Sequence, residues 1–351
     1  MSEVEKTGLS RRGALGTMLA AGAVTALGAA SPAAAAGSNV SDVDGSAARG
    51  QTASGRLYEL RCGNARAVIA GVAATVLSYQ VDGEELLLTH AADDVGEGYQ
   101  GKTILPWCNR IDHGKYTFGG KQYAVPINEP DRDTALHGLL SFTEWQPVRH
   151  TRDSVVLEVQ QHPHYGYPFH VAFRMEFALG RRGLSSTLTA RNIGSGPAPF
   201  GTANHTYVKA ASGTIDSIEL ELGASTYYVV NDRLIPTGTA PVAGTPYDFR
   251  TAKKIGATKM DTAFKDVRRG EDGLATVTFR RPGGHTVRLW MDSSYGYLQC
   301  YTDDGPTGHP PRSGLTVEPV SCAPNCFNTG DGLVVLSPGR AWRGTWGLSA
   351  S

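Results

Sequence analysis

The chain has no excess of either charge: 33 Lys and Arg stand against 33 Asp and Glu in 351 residues. A surface that tracks phosphates needs a clear basic excess, so nucleic acid is not an expected partner. Helical patterning is also missing. After residue 36, no stretch with apolar side chains at i, i+3, i+4 and i+7 runs longer than about two turns. No apolar run is long enough to hold the mature chain in a bilayer, so stable membrane insertion is not expected. Cysteine is scarce and odd in number, five in all, which in an exported protein leaves at least one thiol without an intramolecular partner. No second Cys/His pair follows at ligand spacing, so no metal is expected.

What the chain has in quantity is glycine, 43 residues, and an apolar period of two from Leu57 onward. Phe169, Val171, Phe173, Met175 and Phe177 alternate with His170, Ala172, Arg174, Glu176 and Ala178, a pattern that lines one sheet face with apolar groups. The next segment, from Leu184, follows a Gly180-Arg-Arg-Gly183 turn as in a hairpin. Similar punctuation occurs at Asp82-Gly83 between Tyr79–Val81 and Leu86–Leu88, at Gly119-Gly120 and at Pro282-Gly283-Gly284, and Pro338-Gly339 separates Leu333–Leu336 from Trp342–Trp346. Strands joined by tight turns without intervening helices predict an all-β fold, a large antiparallel β-sandwich, rather than a parallel α/β sheet. No composition break divides residues 57–351, so one large domain is expected there.

The N-terminus reads as an address. Arg11 and Arg12 precede a mildly apolar run rich in Ala and Gly, and Ala34-Ala35-Ala36 offers an A-x-A type cleavage site before Gly37. Together these resemble a twin-arginine export signal over residues 1–36, which predicts a secreted or periplasmic product. Residues 37–56 are small and polar and read as a flexible leader.

Four polar clusters interrupt the strand pattern: Pro106 to Gly114, Asn128 to Gly138, Gly201 to Tyr207, and Leu315 to Pro319. Each alone is weak. Glu318, between apolar residues and before a proline, is either solvent-facing or held in a cleft, and alternation does not decide. In this order, however, LPWCNRIDHGKYTFGGKQYAVPIN, TALHGLLSFTEWQ, GTANHTYV, IPTGTAPVAGTPYDFR, MDTAFKD, LTVEPVSCAPNCFN and LSPGRAWRGTWGL resemble the aldose 1-epimerase (galactose mutarotase) family.

The resemblance implies a β-supersandwich with an open sugar cleft, and interconversion of the α and β anomers of a free aldose without cofactor. Ring opening needs a base for the C1 hydroxyl proton and an acid for the ring oxygen. By resemblance, Glu318 is the base, His205 the acid and His137 an assisting hydrogen bonder. Arg110, Asp261 and Asn109 would hold sugar hydroxyls. The expected pH profile is a bell, its lower limb set by carboxylate ionisation and its upper limb by imidazole deprotonation. Thr206 stands where the family usually has Pro, and Thr262 where His is often seen. Losing the proline predicts a looser His205 and puts the usual galactose preference in question. His113, His162, His164, His170, His285 and His309 fall outside the shared phrases and read as surface or turn residues. Cys322 and Cys326, just beyond Glu318, either close a small disulfide loop or remain thiols. Two other readings share the pattern: a hexose-6-phosphate 1-epimerase, which needs a phosphate clamp of basic residues, and a non-catalytic carbohydrate-binding module. Oligomeric state is not legible in the sequence.

Overall fold

The computed structural model describes residues 52–305 and 308–351; the stretch read as an export signal and residues 37–51 of the expected leader lie outside them. Thr52–Arg56, expected to be flexible, are instead tied into the fold, with Val72 N–H donating to Ser54 O at 3.0 Å and Gly71 N–H to Arg56 O at 2.7 Å. The described chain is built from antiparallel sheets, and its one α-helix is the single turn Cys326–Thr329. Nine strands form the largest sheet, in which the hairpin Val171–Gly180 with Gly183–Asn192 lies between Ser154–Gln161 and the C-terminal strand Ala341–Ala350. Eight strands form a second, with Asp261–Val267, Tyr297–Tyr301 and Gly314–Val320 adjacent at its centre. Four more, from Leu57–Cys62 to Glu84–Glu85, form a third.

Alternation explains how these sheets share one core. Val171, Phe173, Met175 and Phe177 are buried while Arg174 is exposed, and they join Leu60 and Ile69 of the four-stranded sheet and Leu298 and Val317 of the eight-stranded sheet in one apolar cluster. Each fully buried Leu or Phe contributes about 2 kcal/mol relative to exposure. A second cluster, with Trp107, Ile111, Tyr116, Tyr167 and Phe327, packs beneath the loops that follow Leu105.

Most predicted hairpins are present, at Asp82-Gly83, Gly119-Gly120, Gly180–Gly183 and Pro282–Gly284. Two segments differ. Leu86–Leu88 were expected to return along Tyr79–Val81, but the pairing covers only Glu84–Glu85 and ends in one bond from Leu86 N–H to Tyr79 O at 3.0 Å. Leu87 then bridges to Val208, because the same apolar residues bury better where two sheets meet. Val334–Leu336 and Ala341–Ala350 do not pair across Pro338-Gly339; the first pairs Ala198–Phe200 and the second joins the nine-stranded sheet.

At Gly138 the backbone must be bare. Its φ is +73°, and a Cβ there would lie 1.8 Å from the Leu105 carbonyl oxygen, to which Leu139 N–H donates at 2.8 Å. Gly138→Ala combines left-handed strain with a backbone clash, so it should cost more than about 3 kcal/mol. A melting temperature within a few degrees of the wild type would contradict that account.

Candidate active site

Gly314–Val320 is buried along its whole length, so both of its faces meet protein. Leu315 and Val317 enter the main core, while Thr316, Glu318 and Val320 face the other way. Glu318 pairs in register with Gln299, and on the next strand Asp261 and Ala263 share that face. The Gln299 amide donates to Asp261 Oδ1 at 2.6 Å. The sequence left two readings of Glu318; the structure holds it at 2% exposure, at the wall of a pocket shared with Asn109, Gln299 and Cys322.

A second group comes from loops. Arg110–Asp112 pairs with Thr134–Leu136, and Asn109 and His137 sit at the adjoining ends with φ of 54° and 58°. A left-handed conformation at a non-glycine residue costs of order 1–3 kcal/mol. Here it is held by reciprocal bonds: His137 N–H donates to Asn109 O at 3.1 Å, and Asn109 N–H donates to His137 Nδ1 at 3.3 Å. The second bond leaves the proton of neutral His137 on Nε2. Asn109 Oδ1 is taken up by Arg110 N–H at 2.9 Å. Arg110 in turn grips Glu129 through Nε and Nη2 at 2.8 and 2.9 Å, with Asp261 Oδ2 at 3.6 Å from Nη2.

His205 completes the group. Its N–H donates to Lys102 O at 2.9 Å and its carbonyl accepts from Gly101 N–H at 2.9 Å. Thr206, at the position of the missing proline, hydrogen-bonds Asn204 through its hydroxyl, and its carbonyl accepts from Thr316 Oγ1 at 3.2 Å. Bonds on both sides therefore hold His205, and the expected looseness is not seen. The imidazole stacks on Tyr207 at 5.2 Å, meets His137 edge-on at 5.2 Å and directs Nε2 at Glu318 Oε1, 3.5 Å away. Its Nδ1 is buried without a hydrogen-bond partner.

Burial dominates the electrostatics. It raises the Glu318 carboxyl well above its ordinary range; the Asp261 carboxylate adds to this and Arg110 opposes it. Burial likewise lowers His205 to about 4 and drives His137 well below the ordinary imidazole value, helped by His205 and Arg110. Both histidines are therefore neutral at pH 7, and of the two facing groups Glu318 keeps a proton to higher pH than His205 does.

All six candidate residues meet in this one region. Glu129, Gln299 and Tyr99 were not singled out in the sequence. Glu129 lay within the Asn128–Gly138 polar cluster, whereas Gln299 shows only as a polar residue inside an apolar strand. Tyr99 packs on His137 at 4.7 Å and gave no signal. His113 lies on an exposed turn against Asp133. His309 departs from the surface reading: its side chain is 13% exposed, with Nδ1 3.2 Å from Asp303. Cys322 and Cys326 are thiols, 3.1 Å apart. Two cations near the cleft are already engaged, Arg110 by Glu129 and Lys102 by the Ser141 carbonyl and the Phe142 ring.

Comparison with known proteins agrees with this architecture. The chain is 34% identical over 291 residues to the uncharacterized protein YihR of Escherichia coli, covering 83% of this chain and 92% of that one. It is 32% identical over 171 residues to the galactose mutarotase of Mus musculus, a match spanning 46% of this chain and 48% of that enzyme. Among solved structures, a GalM/aldose epimerase homologue from C. elegans superposes with a TM-score of 0.75 at 22% identity, over 84% of this chain and 98% of that one. A galactose 1-epimerase from Lactobacillus acidophilus gives 0.71 at 19% identity, over 84% and 95%. The sequence model described as aldose 1-epimerase matches residues 56–349, and the chain belongs to that family.

Proposed function

We propose that the protein is an exported mutarotase that interconverts the α and β anomers of a free aldose by general acid–base ring opening. The observation that carries the reading is the buried Glu318–His205 pair, 3.5 Å apart at the pocket wall. A hemiacetal carbon bears two oxygens, the C1 hydroxyl and the ring oxygen, so an acid and a base this close can serve both. Glu318 takes the hydroxyl proton while His205 gives one to the ring oxygen. The C1–ring oxygen bond breaks and the C1 hydroxyl oxygen becomes the aldehyde oxygen. Rotation about C1–C2 presents the other face, and the same groups reclose the ring with their roles exchanged. His137, with its proton on Nε2, donates a hydrogen bond near the ring oxygen. Arg110, Asp261 and Asn109 hold hydroxyls. The pair also favours catalysis over a binding module, since retention of sugar alone needs no such juxtaposition. A phosphosugar substrate finds less support, because Arg110 and Lys102 are already engaged.

Glu318→Gln keeps shape but cannot accept a proton, so the mutarotation rate should fall by roughly 10² to 10⁴, with sugar affinity changing much less. His205→Asn should act similarly, and His113→Asn, on its exposed turn, should be nearly silent. Polarimetry of fresh α-D-glucose and α-D-galactose reads all three, and near wild-type rates in a folded Glu318→Gln protein would overturn the mechanism. The same substitution has a stability signature. Unfolded Glu318 ionises near 4.5, whereas the folded carboxyl stays protonated well above that. The native state thus binds more protons in this window, and stability falls as pH rises from 4.5 toward the folded value. Gln mimics the protonated acid, so Glu318→Gln should melt above the wild type at pH 7.

The pH profile should remain a bell, with its limbs reassigned. The competent form, ionised Glu318 with protonated His205, carries the same single proton as the resting form and differs from it by transfer between the two groups. Its population falls at low pH as a second proton binds, near the His205 value of about 4. At high pH it falls as the raised Glu318 carboxyl ionises. Burial thus exchanges the limbs relative to the sequence expectation. A lower limb at or above pH 6 in the free enzyme, read from kcat/KM, would contradict this.

Export by the twin-arginine route is part of the proposal and rests on the sequence of residues 1–36. An Arg11→Lys, Arg12→Lys double variant should accumulate inside the cell on fractionation; its normal export would refute the route.

A further inference from the structure

Cys108 comes from the loop after Leu105 and Cys322 and Cys326 from a single turn, and the three meet as buried thiols. Cys322 is central, with Sγ 3.1 Å from Cys326 Sγ and 3.5 Å from Cys108 Sγ. The approach depends on a bare backbone: a Cβ at Gly201 would lie 2.5 Å from Cys322 Sγ and 3.9 Å from Cys108 Sγ. Cys108 and Cys322 line the same pocket as Glu318 and Gln299. Cys322 itself is fully buried and the space beside it is about the size of one water, so only a reagent nearly that small, such as hydrogen peroxide, can reach its sulfur. The thiol hydrogen bonds from Cys108 and Cys326 hold Cys322 well below the usual thiol pKa, with Ser321 assisting, while Cys108 and Cys326 are raised in return. Thiolate character and access are what make one cysteine react before its neighbours.

We propose that Cys322 is a peroxide-reactive site whose oxidation is resolved by Cys326 into a disulfide at the pocket wall. The Cys322 thiolate attacks hydrogen peroxide; the O–O bond breaks, an S–O bond forms and hydroxide leaves to be protonated. The Cys326 sulfur then attacks Cys322, giving up its proton as the sulfenic oxygen departs as water. Two thiols and one peroxide become one disulfide and two waters, two electrons passing from sulfur to oxygen. Cys326 is the resolving partner because it is the nearer sulfur and lies in the same short turn, where Cys326 N–H donates to Ala323 O at 3.2 Å.

The bond reaches the proposed sugar site through Asn325, whose N–H donates to Arg110 O at 2.9 Å and whose Oδ1 accepts from Asp112 N–H at 3.1 Å. Drawing the two sulfurs to bonding distance, about 2 Å, pulls on the turn that anchors Arg110, and small displacements at a reacting centre cost rate steeply. Oxidation therefore lowers turnover, and that consequence alone rests on the mutarotase reading.

The test treats the full-length protein with hydrogen peroxide, counts thiols by alkylation and maps disulfides by mass spectrometry, and follows mutarotation in parallel. Expected are two fewer alkylated thiols, a peptide joining Cys322 to Cys326, and a rate lowered at least about tenfold, restored by dithiothreitol. Cys326→Ser should stop at a Cys322 sulfenic acid that dimedone captures, whereas Cys108→Ala should still form the bond. An unchanged thiol count, or Cys322 joined to Cys108 in the wild type, overturns the site. A complete Cys322–Cys326 bond with an unaltered rate overturns its effect on turnover. Because the bond is read by mass, it is decided separately from whether the protein is a mutarotase.

Discussion

The burial of one carboxylate sets the terms for the cleft. Glu318 is 2% exposed on a strand with protein on both faces, and a carboxylate taken out of water without a partner is costly enough to stay protonated instead. Its nearest partner, His205, is itself buried and depressed to about 4, so the two groups do not rest as an ion pair. On the proposed mechanism the pair rests with its proton on Glu318, and transfer to His205 gives the competent form. An exposed pair would ionise independently, carboxylate before imidazole; desolvation raises Glu318 and lowers His205 and so reverses the order of their proton affinities.

The ionic group beside it behaves oppositely. Arg110 is held by two short bonds to Glu129 and lies close to Asp261, so its charge is matched where it is buried. A planar guanidinium gripped on one edge is positioned rather than free to search, which suits a donor aimed at hydroxyls of fixed geometry. Arg110 also opposes the rise in the Glu318 carboxyl, linking the group proposed to hold sugar to the group proposed to move protons.

The strands that make the scaffold were legible because glycine and proline mark their ends and apolar residues alternate between them. Pairing partners were less legible. Leu86–Leu88 and Val334–Leu336 carry the right residues for strands, but period two does not say which neighbouring strand receives them, and both leave the hairpin for another sheet. Glu318 was ambiguous for a related reason: alternation separates core from solvent only when one face is wet, and Gly314–Val320 has no wet face. The candidate residues themselves were found through ordered motifs. Gln299 and Tyr99 were not, since Gln299 matters through its register with Glu318 and Tyr99 through its contact with His137.

The two departures from the family pattern bear differently on the cleft. At Thr206 the fixed ring of a proline is replaced by bonds to Asn204 and Thr316, so His205 is placed by neighbours rather than by its own chain. At Thr262 strand alternation decides. Thr262 lies opposite Cys300, a core residue, whereas Asp261 and Ala263 face the cleft. A different side chain at 262 therefore reaches the core rather than the sugar face of that strand. Neither change touches the acid or the base. If the protein acts on aldoses as proposed, discrimination between them arises from groups on the cleft side, where Gln299 braces Asp261 and Tyr99 covers His137, and where a single hydroxyl inverted at one carbon meets a different donor or acceptor.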